Sequence, residues 1–173
     1  MGIYKFLEDE QFAAARRSNR HFLFRGVLPD TPSWDEVLTN LEKSLEAQAL
    51  VKAGPYFSIV THDGDKHIRL AGALLEEIRK LDPSLGGSAH VYIGLTRFSE
   101  SFGKHRDNAD VFFWQVIGST RWKVYAQAGV AEYTLGVGDV LYVPRQMDHE
   151  VVSLCPRVGI SFGLDYGAAK QAG

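Results

Sequence analysis

The sequence predicts a mainly β domain with an α-helical amino-terminal section, and three observations predict it. From residue 88 onward the chain falls into short β-rich runs separated by Gly, Pro, Asn, Asp or Ser clusters, the texture of an all-β barrel or sandwich. Before that point apolar residues recur at helical spacing, most clearly at Ile68, Ala71, Leu74, Leu75, Ile78 and Leu81. At 173 residues and 45% hydrophobic content the chain can bury one proper core, so we read one domain over 1–173: a helix-and-strand section over 1–87, then a β core over 88–164.

Leu7, Phe12, Ala13 and Ala14 among charges predict a short amphipathic helix over 7–17, and the run 21–27 reads as a buried strand. Pro29, Pro32 and a capping box of Ser33 with Glu36 announce a helix with Val37, Leu38, Leu41 and Leu45 on one face, running to about Val51. Gly54-Pro55 breaks it. A strand over 56–60 follows, closed by a turn at Asp63-Gly64-Asp65, and the helix over 68–81 ends at Asp82-Pro83 and Gly86-Gly87. The β runs are 89–98, 111–117, 121–126, 140–143, 150–153 and 158–164. Gly118-Ser119 reads as a two-residue hairpin loop, 136–139 as another turn, and 167–173 as a tail that frays. The expected architecture is a helical section packed on a double-stranded β-helix, a jelly roll.

Net charge is −2 from 19 basic and 21 acidic residues, which gives no bulk field for nucleic acid or an anionic membrane surface. Cys155 is the one cysteine, so no intrachain disulfide forms, and neither a signal-peptide core nor a membrane-length apolar stretch is visible. A cytoplasmic protein is expected, with no nucleic-acid or membrane partner.

His105-Arg106-Asp107 is the stretch with chemistry. On an extended chain residues i and i+2 share a face, so His105 and Asp107 can reach one metal ion while Arg106 points away. His149 lies just beyond the apolar run Val140-Leu141-Tyr142-Val143-Pro144. Two imidazoles and one carboxylate form the facial set of non-haem Fe(II) oxygenases. The remaining histidines, His21, His62, His67 and His90, carry no such context and read as structural or solvated.

The run Ser101-Phe102-Gly103-Lys104-His105-Arg106-Asp107, then 110–115, Gly118-Ser119-Thr120-Arg121-Trp122-Lys123-Val124, and Gly138-Asp139-Val140-Leu141-Tyr142-Val143-Pro144 before His149 resembles the JmjC-type, cupin-like oxygenases. Within them it is most similar to bacterial hydroxylases that modify ribosomal proteins. The resemblance covers about 88–164. It implies Fe(II) held by His105, Asp107 and His149, with 2-oxoglutarate and O2 as co-substrates, and hydroxylation of an unactivated C–H bond coupled to decarboxylation of 2-oxoglutarate.

The sequence departs from that pattern at Thr120, where the family offers a lysine or arginine to the distal carboxylate of 2-oxoglutarate. A threonine cannot form that ion pair, and Arg121 and Lys123 alternate to the opposite face. Arg157 is the expected replacement, since it shares alternation with Gly159 and Ser161 on the last strand. Thr120 and Tyr92 are expected to add hydroxyl hydrogen bonds, and Gln115 and Ser161 to face the metal's other ligands. Trp114 and Trp122 read as core. Two alternatives stand beside this reading: a cupin-type metalloprotein acting on a small molecule without 2-oxoglutarate, which Thr120 favours, and a non-catalytic metal-binding module, against which the intact triad stands. The substrate is expected to be a protein or peptide rather than a small molecule, approached by the amino-terminal section and the loops around the metal, with Arg97, Lys104 and Arg106 at the mouth.

Overall fold

A computed structural model describes residues 4–48, 51–99 and 101–165; the tail at 167–173 lies outside them. The first helix, α1 (Glu10–Arg17), starts where the Asp9 carboxylate accepts from the Gln11 and Phe12 amides. The expected capping box opens α2 (Trp34–Glu46): Ser33 Oγ accepts from the Glu36 amide and the Glu36 carboxylate accepts from the Ser33 amide. α2 ends sooner than its apolar spacing suggested, and Val51 instead opens a strand. The turn expected at Asp63-Gly64-Asp65 is the start of a single-turn helix, α3 (Gly64–His67), which leads into α4 (Arg69–Arg79).

Among the described residues ten strands form two antiparallel sheets. The larger runs β1 (Phe22–Phe24), β8 (Val140–Val143), β5 (Ala109–Ile117), β10 (Arg157–Asp165), β4 (Gly86–Gly94), β3 (Ser58–Thr61), β2 (Val51–Gly54). The smaller runs β7 (Gly129–Leu135), β6 (Thr120–Ala126), β9 (Asp148–Ser153). Three strands of the amino-terminal section are therefore part of the large sheet rather than packed against it. This is the jelly-roll architecture the sequence predicts.

Alternation sorts the large sheet's side chains onto two cores. Phe112, Trp114, Val91, Ile93, Ile160 and Phe162 join the helical residues Phe12, Val37, Leu74 and Ile78 on the outer face. Val111, Phe113, Leu141 and Val143 face the small sheet and meet Trp122, Val124, Leu135 and Val151.

Gly118-Ser119 is not a hairpin. β5 bonds to β8 and β10, β6 bonds to β7 and β9, and the dipeptide is the corner at which the chain changes sheets. Gly118 has φ +70°, and a Cβ there would run into the Pro156 carbonyl and come within 3.2 Å of Arg157 Cα, so glycine lets this corner sit against the start of β10. The real two-residue hairpin is Gln127-Ala128, joining β6 to β7, a strand the sequence did not announce because its residues are mostly exposed. β4 also starts earlier than expected, taking in Gly86 and Gly87, and stops at Gly94.

A candidate metal centre and its pocket

His105 and Asp107 lie in the extended segment that leads into β5, not on a regular strand. His105 forms a lone antiparallel bridge with His149 of β9: its amide donates to the His149 carbonyl at 2.9 Å, and the His149 amide donates back at 2.8 Å. The Asp107 carbonyl accepts from the Gln146 amide at 2.8 Å, which fixes the third residue. One donor atom from each of His105, Asp107 and His149 falls within 4.8 Å of the others. The expected alternation holds for Arg106, whose guanidinium turns away and grips Asp148 through two bonds, at 2.7 and 3.1 Å.

Each imidazole has its tautomer set by a main-chain carbonyl. His105 Nδ1–H donates to the Gly103 carbonyl at 2.9 Å and His149 Nδ1–H to that of Met147 at 3.0 Å, so both Nε2 lone pairs remain for a metal. Burial lowers the His149 pKa, with the neighbouring His105 adding to the effect, which favours the neutral, ligating form. The Trp122 ring stacks on His149 at 5.5 Å and 20°, and Phe102 meets His105 edge-on at 5.7 Å. Two imidazoles and a carboxylate fit a divalent iron-type ion.

The pocket around these residues is also lined by Tyr92, Ser101, Phe102, Val111, Phe113, Trp122, Val151, Arg157 and Ser161. Arg157 is only 3% exposed. Its Nε donates to Ser153 Oγ at 3.3 Å, its Nη1 to the Tyr92 carbonyl at 3.4 Å, and its guanidinium lies over the Tyr92 ring at 5.9 Å. Burial lowers its pKa to about 10, which leaves it charged near neutrality, yet among the described residues no carboxylate pairs with it. Burial, and then the Asp107 charge, push the Tyr92 phenol up to about 12, so it remains a protonated donor.

Thr120 does not line this pocket. It is fully buried at the sheet corner, where its hydroxyl donates to Gln115 Oε1 at 2.7 Å and accepts from Trp122 Nε1 at 3.2 Å. Gln115 is likewise removed from the metal site: its amide nitrogen donates to the carbonyls of Ile117 and Val158 and spans the irregular register at Val158 and Gly159. Arg121 and Lys123 point outward as expected, Lys123 pairing with Glu150. Lys104 lies over the Tyr125 ring, His21 bonds the Tyr133 hydroxyl, and the His62 and His90 rings meet at 4.3 Å. Ser101, Phe102, Val111, Phe113, Trp122 and Val151 line the pocket although the sequence reading did not place them there: Trp122 was expected as core, and Ser101 and Phe102, within the run that carries the resemblance, lie in a loop without a period to show which side chains turn inward.

A JmjC domain family model matches residues 74–132, a span that holds His105 and Asp107. No curated protein sequence matches the chain. Among solved structures, the ribosomal oxygenase YcfD of Escherichia coli in complex with cobalt and 2-oxoglutarate is similar at TM-score 0.71 and 21% identity over 88% of this chain and 51% of its own. A second structure of the same oxygenase matches at TM-score 0.69 and 23% identity over 95% of this chain and 51% of that one. An oxalate decarboxylase variant of Bacillus subtilis is more distant, at TM-score 0.50 and 13% identity, over 70% of this chain and 28% of that one. The chain thus spans about half the length of the YcfD structures it matches. By its strand topology, by the domain match and by these similarities, the protein has the JmjC-type double-stranded β-helix fold.

Proposed function

We propose that the protein is an Fe(II)- and 2-oxoglutarate-dependent oxygenase that hydroxylates a C–H bond, with a polypeptide as its substrate. The observation that carries this reading is Arg157: a buried guanidinium without a carboxylate partner among the described residues, in the same pocket as His105, Asp107 and His149. A lone buried cation is costly, and an anionic ligand removes that cost. The alternative without 2-oxoglutarate drew its support from Thr120, and Arg157 supplies the cation that Thr120 lacks. The JmjC domain match and the similarity to an oxygenase solved with cobalt and 2-oxoglutarate support the same reading. The similarity to a ribosomal oxygenase supports a polypeptide substrate.

A ferrous ion held by His105, Asp107 and His149, with 2-oxoglutarate and O2, supplies the oxidising chemistry. The chain's own residues bind and orient. Arg157 grips the distal carboxylate, where its planar fork can form two parallel bonds. Tyr92, protonated at any working pH, donates its hydroxyl proton to the same ligand, and Ser161 offers a second hydroxyl. The Gly103 and Met147 carbonyls keep the Nδ1 protons where they are and the ligating nitrogens aimed. Phe102, Val111, Phe113, Trp122 and Val151 exclude water. The test is conversion of 2-oxoglutarate to succinate by purified protein with Fe(II) and ascorbate. Protein that binds the metal but forms no succinate above the protein-free rate overturns the proposal.

A further inference from the structure

Outside the pocket, Tyr56 and Phe57 are 60% and 69% exposed and both hold left-handed backbone, φ +54° and +64°. Two consecutive non-glycine residues persist there only where the surroundings enforce it. Here the Tyr56 carbonyl accepts from Ser99 Oγ at 2.7 Å and Thr96 Oγ1 at 3.4 Å, and the Phe57 carbonyl accepts from the Leu95 amide at 3.2 Å. Buried Ser99 is the keystone of a fixed pedestal that presents two aromatic rings to water. Phe98 and Phe102 are exposed on the buttressing segment, and Phe102 also lines the triad pocket. Apolar surface so placed marks an interaction site.

Beside it runs β2, which ends the large sheet; among the described residues no strand pairs with its outer side. A cleft lined by Lys52, Gly54, Ser58, Tyr92, Phe102 and Arg157 lies beside this edge and shares Tyr92, Phe102 and Arg157 with the pocket. The flanking charges are Lys52 and Arg97, and neither has a carboxylate partner among the described residues; Arg97 lies over the Phe98 ring at 4.7 Å. We infer that this face docks an extended polypeptide segment carrying an acidic side chain. Its backbone adds to β2, its apolar side chains rest on Tyr56 and Phe57, its acid meets Lys52 and Arg97, and its far end enters the cleft toward the triad. A second copy of the chain is the poorer occupant, because pairing β2 with itself sets two Lys52 side chains on one short ladder. The inference rests on the oxygenase reading above and gives that reading its substrate path.

The test immobilises Mn(II)-loaded protein and challenges it with a displayed library of short random peptides. Wild type selects sequences with Asp or Glu among apolar residues, whereas Lys52→Glu/Arg97→Glu protein selects Lys or Arg in their place. A selected peptide, resynthesised, loses about tenfold in affinity on Tyr56→Ser/Phe57→Ser protein and on N-methylation of its alternate amides. No selection, the same charge preference on both proteins, or indifference to N-methylation overturns the docking. A dimer in solution that Lys52→Glu dissolves also overturns it. Calorimetric binding of 2-oxoglutarate to the same Mn(II)-loaded proteins separates the two ideas. Unchanged affinity in the surface variants assigns their losses to docking, and no binding to wild type overturns the oxygenase reading instead.

Discussion

His105 and His149 exchange both of their main-chain hydrogen bonds, so two of the three candidate ligand residues are locked to each other through the backbone before any ion arrives. His149→Ala leaves that bridge in place and removes only the imidazole. We expect the variant to fold with wild-type secondary structure and to lose metal. Elemental analysis after dialysis checks this, and a full equivalent retained would remove His149 from the ligand set.

Arg157→Ala should raise the 2-oxoglutarate dissociation constant at least tenfold, about 1.4 kcal/mol. Arg157→Lys should recover part of it, keeping the charge but not the paired donors. Titration of Mn(II)-loaded protein reads both; equal affinity in wild type and Arg157→Ala would move the anchor elsewhere.

Thr120→Val separates the corner from the site. It leaves Gln115 Oε1 without its donor and Trp122 Nε1 without its acceptor, both buried, at a cost of roughly 1–3 kcal/mol in stability. Denaturant unfolding should show that loss while 2-oxoglutarate affinity changes little. A large loss of affinity with unchanged stability would return Thr120 to the co-substrate.

Burial lowers the pKa of four histidines, His21, His62, His90 and His149, below the ordinary value of 6.5. The unfolded chain therefore binds more protons than the folded one below about pH 6.5, and stability rises with pH across that window. Stability should be full above it and fall as pH drops through the folded-state values. Metal-free protein should unfold at lower urea at about pH 5.5 than at about pH 7.5; coincident midpoints would contradict the buried, neutral state of these rings.

The convergence of His105, Asp107 and His149 was legible because an i, i+2 pair needs only an extended chain, and because Val140-Leu141-Tyr142-Val143-Pro144 marks the strand that leads to His149. The place of Arg157 in the pocket lining was legible through its alternation with Gly159 and Ser161. Thr120 was not. Its expected place at the co-substrate came from the resemblance alone, and the hairpin expected at Gly118-Ser119 is instead the corner that turns the chain into the other sheet; a left-handed glycine serves a hairpin or a corner equally well. Which of the two forms is decided by pairing with β9 and β10, far along the chain. Phe102 lies in a loop, where no period announces which side chains face inward.

The large sheet also acts as a partition. The helices and Phe12, Phe112, Trp114 and Phe162 hold its outer side, while Val111, Phe113 and Val151 on the inner side both pack the sheets and line the cavity. Interior residues can therefore be exchanged for others of similar volume without disturbing the helical core, so ligand preference in this scaffold is free to drift while the fold stays put. Gly159 bounds that freedom: a methyl group there would strike the Phe113 ring, and the cavity wall would have to move with it.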